Sequence, residues 1–178
     1  DDHSVGLGLP ALGGLPPFVN SFQSVAEFAS PYQHGEVLWH NCFDYRCLEL
    51  FLDNVRQLSD RFEAYYHEAM IIPALNLLAA RPGRPPRRVL ILGGGDGGIA
   101  SIGLRFDTVE RVTLLDIDAS VSRISRRVFR GVAAAFGDPR FRAKHVDAFS
   151  WVRRRGMRAK ELGGAFDLVV IDFTDSPH

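Results

Sequence analysis

Cysteine is almost missing from this chain. Cys42 and Cys47 are the only two, five residues apart. They are too few for a disulfide framework and lack the partners that would complete a zinc site. Packed or idle thiols, no metal centre and a reduced, cytosol-like setting are the expectation. Lysine is scarce too: 2 of the 21 basic residues, the other 19 being arginine. Long apolar runs are absent, so no stretch of about 18 residues offers a membrane-spanning helix. The first residue is Asp1, and no basic segment leads into an apolar one; a preceding segment is left open. With 46% hydrophobic and 24% charged residues, disorder as the main state is excluded, because the apolar surface suffices to offset chain entropy.

The net charge is zero but unevenly spread. Residues 1–80 carry 10 acids and 3 bases, whereas residues 81–178 carry 11 acids and 18 bases. Arg123, Arg126, Arg127 and Arg130 lie opposite Val121, Ile124 and Val128 at helical spacing, which reads as a solvated amphipathic helix. No aromatic residues interleave with these arginines or with Arg153-Arg154-Arg155 as single-strand binding would want, so no nucleic acid is expected.

Glycine and proline punctuate residues 1–17, and residues 1–30 read as a flexible lead-in. Residues 31–80 read as a small β-hairpin domain and a connecting helix. The hairpin is built on Glu36–Trp39, Cys47–Leu52 and Val55–Leu58, with Asp53-Asn54 as its turn. Asp60 is the expected N-cap of the helix, with Glu63 as its capping-box partner, and Pro73 should kink or split it. Arg81-Pro82-Gly83-Arg84-Pro85-Pro86 is the expected linker. From residue 81 on, four short strands around Val89–Leu92, Val112–Leu115, Phe141–Val146 and Leu168–Ile171 alternate with helices, one of them capped by Ser120. The alternation predicts an α/β fold with a parallel sheet covered on both faces.

Gly93-Gly94-Gly95-Asp96-Gly97-Gly98 follows the first of these strands and opens a helix; Asp116 lies 18 residues past the last glycine. The pattern satisfies the dinucleotide fingerprint. Asp96 argues against a pyrophosphate, because a carboxylate in that loop repels phosphate and attracts a cation. A nucleoside with a positive tail, such as a sulfonium, fits better, with Asp116 accepting bonds from its ribose hydroxyls. Asp147 is placed to receive an adenine amino group, to cap the next helix, or to do both. Asp172 and Asp175 follow the fourth strand, so acids from four strand ends reach one rim.

Tyr32-Gln33, Leu52-Asp53 with Gln57, Tyr66-His67-Glu68, Val89 through Gly98, Asp116-Ile117-Asp118 and Asp172-Phe173-Thr174-Asp175 occur in an order and spacing that resemble the polyamine aminopropyltransferases, the spermidine synthase family. The resemblance covers about four-fifths of the chain, and its nearest flavour is a bacterial form sometimes preceded by membrane segments. It implies a methyltransferase-like Rossmann sheet, with its first four strands present, behind a small N-terminal β-hairpin domain. It implies a cytoplasmic homo-oligomeric transferase that moves the aminopropyl group of decarboxylated S-adenosylmethionine to a polyamine nitrogen, usually of putrescine, and releases methylthioadenosine. That donor is a co-substrate, and no cofactor is implied. By position, Asp172 is the base and Tyr66 orients the attacking nitrogen. Gln33, Gln57, Gly93, Gly95, Asp96, Asp116 and Asp147 fall at donor contacts, and His67 and Asp175 at acceptor contacts.

Departures from the family pattern are Ser101 and Ile102 in place of Arg-Glu, Phe62 in place of an Asp, and an end at Ser176-Pro177-His178 instead of a Gly-Pro gate. They bear on the choice of acceptor. The family sheet has seven strands, so a C-terminal polypeptide completing it is expected. Two other readings of the residues are a methyltransferase using S-adenosylmethionine, whose carboxylate Asp96 would repel, and a nucleoside-binding half-subunit inactive without its partner chain.

Overall fold

The computed structural model describes residues 22–42, 45–154 and 165–173. They form two compact units that divide between Arg61 and Phe62.

The first unit is an antiparallel sheet of four strands in sequence order: β1 (Gln23–Ala29), β2 (His34–Cys42), β3 (Tyr45–Leu52) and β4 (Val55–Ser59). The expected hairpin is thus part of a larger meander, and the expected lead-in gives way to a strand at Gln23; residues 1–21 lie outside the described residues. Strand β1 escapes a period-2 reading because its inward positions are Ala26 and Phe28, while Val25 sits at a register shift between Ser24 and Ala26. The turn after β3 is as expected: Asp53 and Asn54 have φ of 47° and 65°, the left-handed pair a two-residue hairpin turn needs. Asp53 Oδ1 also accepts from the His34 N–H at 2.9 Å. Val37, Cys47 and Leu50 are fully buried. Glu49 is buried among them, with His40 Nε2 at 2.6 Å and Arg56 Nη1 at 3.3 Å as partners.

Two expectations fail in this unit. Cys42 and Cys47 are joined as a disulfide rather than idle. The β2–β3 register sets Cys42 opposite Tyr45 and Cys47 opposite His40, so the cysteines are diagonal neighbours on one face of the pair. Asp60 caps no helix: its Oδ1 accepts from the Leu48 N–H at 3.0 Å within the sheet.

The second unit opens with α1 (Glu63–Ala79), whose N-cap is Phe62 without a side-chain cap bond. The helix runs through Pro73 without splitting. Ile71 and Leu75 on its inner face are fully buried, which holds the turn where proline removes a backbone bond. The elements β5 (Arg88–Gly93), α2 (Gly98–Gly103), β6 (Arg111–Asp116), α3 (Ala119–Val128), α4 (Arg130–Ala133), β7 (Phe141–His145), α5 (Ala148–Arg154) and β8 (Leu168–Asp172) follow, with a 3-10 turn at Ala135–Gly137. Their sheet is parallel in the order β7-β6-β5-β8. One face carries Val89, Ile91, Val112 and Leu114 against Ile71, Leu75 and Ile99; the other carries Leu90 and Leu115 against Ala148. Because α1 packs into this core, the compact unit begins before the helix and not at the proline linker of residues 81–86, as expected from sequence. The cap of α3 is also reassigned. Asp118 accepts from the Ser120 N–H at 2.8 Å, so Ser120 receives the cap rather than providing it.

Among the described residues no helix is long and apolar enough to cross a membrane.

Candidate active site

The chain runs outward from β5 to β6 and β7, then returns to β8 on the other side of β5. This reversal opens a crevice beyond the carboxyl ends of β5 and β8, the usual ligand position in such sheets. Its floor is the loop from Gly93 to Gly98 that joins β5 to α2. The Gly94 N–H donates to the carbonyl of Asp172 at 2.9 Å, tying the loop to the end of β8.

Around this point the structure gathers Tyr66, His67, Asp96 and Asp172. The Tyr66 hydroxyl donates to Asp172 Oδ1 at 2.6 Å, across 106 residues of sequence. Burial pushes the Asp172 carboxyl above the ordinary carboxylate range, and the nearby Asp96 charge adds to this; the bond from Tyr66 and the His67 charge oppose it. Asp96 is itself buried. Its Oδ1 accepts from the Gly98 N–H at 2.6 Å and its Oδ2 lies 3.8 Å from His67 Nε2, longer than a hydrogen bond. The His67 ring is 2% exposed and packs on Gly98, where a Cβ would occupy the ring's place.

Burial by itself pulls the His67 pKa down, but the carboxylates of Asp96, Glu63 and Asp172 outweigh it and the net direction is up. A raised pKa means that the protonated ring stabilises the fold fully below the unfolded value of about 6.5. That contribution is lost as pH rises through the folded value. Urea unfolding of the wild type and of His67→Gln between pH 6 and pH 9 should therefore show the stability advantage of the wild type shrinking with pH. A difference that stays constant would contradict the charged pair.

Asp116, at the end of β6, accepts from the Gly95 N–H at 2.9 Å and the Asp118 N–H at 2.8 Å. Burial raises its pKa against the lowering effect of these two bonds. The loop-to-Asp116 contact is close: a Cβ on Gly95 would meet the carboxylate. Asp147 caps α5. Its Oδ1 takes the Phe149 N–H at 3.0 Å and its Oδ2 the Ser150 hydroxyl at 2.5 Å, the latter bond holding its pKa below the usual range. The helix-cap reading of Asp147 is thus met by its contacts. Gln33 and Gln57 belong to the antiparallel unit. There the Gln33 N–H donates to Ser30 Oγ at 3.1 Å and Gln57 Nε2 to the Val55 carbonyl at 3.3 Å. Asp175 lies outside the described residues.

Two features of the rim went unread in the sequence. Ser122 Oγ, buried on α3, donates to the Gly95 carbonyl at 2.7 Å and pins the glycine loop from behind. Its signal is a serine inside the apolar stripe of Val121 and Ile124. Phe149 and Phe173 stack with ring centroids 5.2 Å apart, bringing the segments after Asp147 and Asp172 together. Each aromatic closely follows a strand-end acid, and that repetition was legible.

The spermine/spermidine synthase domain profile matches residues 63–178. The chain belongs to this family. Polyamine aminopropyltransferase 1 of Aquifex aeolicus is 36% identical over 146 residues, spanning 82% of this chain and 47% of the relative. The polyamine aminopropyltransferase of Pyrobaculum calidifontis is 37% identical over 158 residues, 88% of this chain and 50% of the relative. Spermidine synthase from Thermotoga maritima superposes with a TM-score of 0.71 at 26% identity, over 86% of this chain and 48% of that one. A spermidine synthase structure in complex with the transition-state analogue AdoDATO aligns at 27% identity with the same TM-score of 0.71, over 85% of this chain and 47% of that one. The chain thus spans about half the length of the relatives it matches. The family accounts for the methyltransferase-like parallel sheet and the antiparallel sheet before it.

Proposed function

We propose that this member of the spermine/spermidine synthase family takes part in aminopropyl transfer from decarboxylated S-adenosylmethionine to a polyamine nitrogen, with putrescine as acceptor. The observation that carries the reading is the Tyr66–Asp172 hydrogen bond of 2.6 Å beside the buried Asp96–His67 pair, in the crevice at the strand ends. A diamine is protonated in water, and an ammonium cannot attack carbon. Asp172, with its raised pKa, is suited to take that proton; the Tyr66 hydroxyl occupies Oδ1, which leaves Oδ2 as the proton acceptor. Asp116 is assigned to the ribose hydroxyls. The backbone of Gly93 and Gly95 allows close approach of the nucleoside, and Gln33, Gln57 and Asp147 are assigned further donor contacts. His67 and Asp175 are assigned to the acceptor, and Asp96 to the ammonium left on the donor.

The bond changes balance without a cofactor. The amine nitrogen forms a bond to the aminopropyl carbon next to sulfur, the carbon–sulfur bond breaks, and the sulfonium becomes the neutral thioether methylthioadenosine. One proton leaves the nitrogen. Mass spectrometry after incubation with decarboxylated donor and a panel of diamines tests the reading; a product heavier by a methyl group would replace it with methyl transfer. A partner polypeptide also belongs to this reading. Among the described residues β8 is paired on one side only, and Ile171 is 60% exposed. Further strands laid on that edge would continue the sheet and add to the acceptor pocket.

Asp96→Asn is expected to narrow the preference for the decarboxylated donor over S-adenosylmethionine by about 1–3 kcal/mol, the worth of a hydrogen bond to a charged group. Calorimetric titration of both donors into wild type and variant reads this directly. An unchanged preference removes Asp96 from donor discrimination.

A further inference from the structure

Ser122 is a polar residue inside the apolar stripe of α3, buried together with Val121 and Ile124. A serine inside a helix often returns its proton to a carbonyl of its own preceding turn. Ser122 spends it instead on the Gly95 carbonyl, 27 residues away, at 2.7 Å. Three residues further along α3, Ser125 is completely buried, and its hydroxyl has no hydrogen-bond partner among the described residues. The two buried serines of this helix thus differ in the bond to the glycine loop.

The Gly97 N–H donates to the Gly94 carbonyl at 2.9 Å, which closes a β-turn with Gly95 and Asp96 at its centre. The carbonyl that Ser122 holds belongs to the central peptide of this turn, whose other end is the Asp96 N–H. Neither Gly95 nor Asp96 has a left-handed φ, so the turn is not of type II. Type I and type II differ by about 150° in ψ of the first central residue and about 170° in φ of the second. That difference is a turnover of the central peptide, and the hydrogen bond that closes the turn survives it. The sequence itself opposes the turnover weakly: glycine carries no Cβ, and aspartate is among the residues that tolerate a left-handed φ. The Ser122 hydroxyl keeps the carbonyl on the α3 side, and peptide planarity then sends the Asp96 N–H the opposite way. That N–H makes no hydrogen bond among the described residues.

We propose that Ser122 is a positioning residue of the donor site, given the assignment of this loop to the nucleoside donor: its hydroxyl locks the Gly95–Asp96 peptide in the orientation that presents the Asp96 N–H to a bound nucleoside. Turnover would put the Gly95 carbonyl, an acceptor, where the N–H donor had been. It would also swing φ of Asp96 and draw its carboxylate away from the Gly98 N–H, from which Oδ1 accepts at 2.6 Å.

Ser122→Ala removes the hydroxyl and little volume, and Ser125→Ala is its control. Relaxation-dispersion NMR of the ligand-free chain reads a peptide turnover on the μs–ms scale without recourse to any ligand. Ser122→Ala is expected to broaden or displace the amide signals of Gly95 and Asp96, while Ser125→Ala leaves them as in the wild type. In calorimetric titration Ser122→Ala should bind methylthioadenosine about fivefold to tenfold more weakly, the worth of one hydrogen bond. Ser125→Ala should bind it as the wild type does. The KM for the donor should rise in Ser122→Ala while the KM for the acceptor stays, a split that loss of stability alone does not produce. Unchanged methylthioadenosine affinity in Ser122→Ala, equal weakening in Ser125→Ala, or sharp and unshifted Gly95 and Asp96 amides in Ser122→Ala would each overturn the proposal. A methylated product would overturn the reaction assigned above, while weaker nucleoside binding by Ser122→Ala would still support the lock.

Discussion

Replacing Asp172 with asparagine is expected to slow aminopropyl transfer by about 10²–10⁴-fold, the usual worth of a general base, while nucleoside binding stays nearly unchanged. Asparagine keeps the shape and can still accept the Tyr66 hydrogen bond, but its amide cannot take a proton. The loss should shrink at high pH, where more of the amine is free. In the wild type the base must be ionised to act. Burial and the Asp96 charge lift its pKa, so the rate should fall as pH drops through a value above the ordinary carboxylate range. Tyr66→Phe removes the bond that opposes this lift and should move that acid limb further up.

The stability effect has the opposite sign. A carboxyl with a raised folded pKa loses stability as pH rises from its unfolded value through the folded one. Asp172→Asn should therefore be neutral or stabilising at pH 7 in urea unfolding, which separates lost chemistry from lost fold. A variant as fast as wild type at neutral pH removes Asp172 from the mechanism.

The parallel sheet was legible because its strands are buried on both faces and read as apolar runs, and because the glycine loop has a fixed place after the first of them. The acids were legible by position at the strand ends, but their partners were not. Nothing local shows that Asp96 spends one oxygen on Gly98, or that Asp147 spends both within its own helix turn. The Tyr66–Asp172 bond joins residues 106 apart and depends on where α1 packs, which the proline linker concealed. Strand β1 was hidden by an inward alanine. The disulfide was hidden by a count too small to suggest a framework, although antiparallel register brings cysteines at that spacing together.

Gly93→Ala should cost about 3 kcal/mol or more of folding stability. Two separate penalties meet there. Gly93 has φ of +84°, a region in which a non-glycine residue costs about 1–3 kcal/mol. In addition, a Cβ would run into the carbonyl oxygen of Asp172 on the neighbouring strand. That atom is backbone, paired with the Gly94 N–H at 2.9 Å, and cannot swing aside as a side chain would. Overpacking of this kind costs about 1–3 kcal/mol. Because the displaced carbonyl belongs to Asp172, the candidate base would shift with it, and activity should fall more than stability alone explains. Gly103→Ala is the control. It lies at the end of α2, and its added Cβ would meet the far end of the Ile71 side chain at 3.0 Å and a Val112 methyl at an ordinary 4.0 Å. Alanine also favours helix by up to about 1 kcal/mol. The control should therefore move stability by less than about 1 kcal/mol in either direction. Urea unfolding of the two variants side by side decides the matter: equal, small losses would mean that the loop does not need its left-handed glycine where β5 and β8 meet.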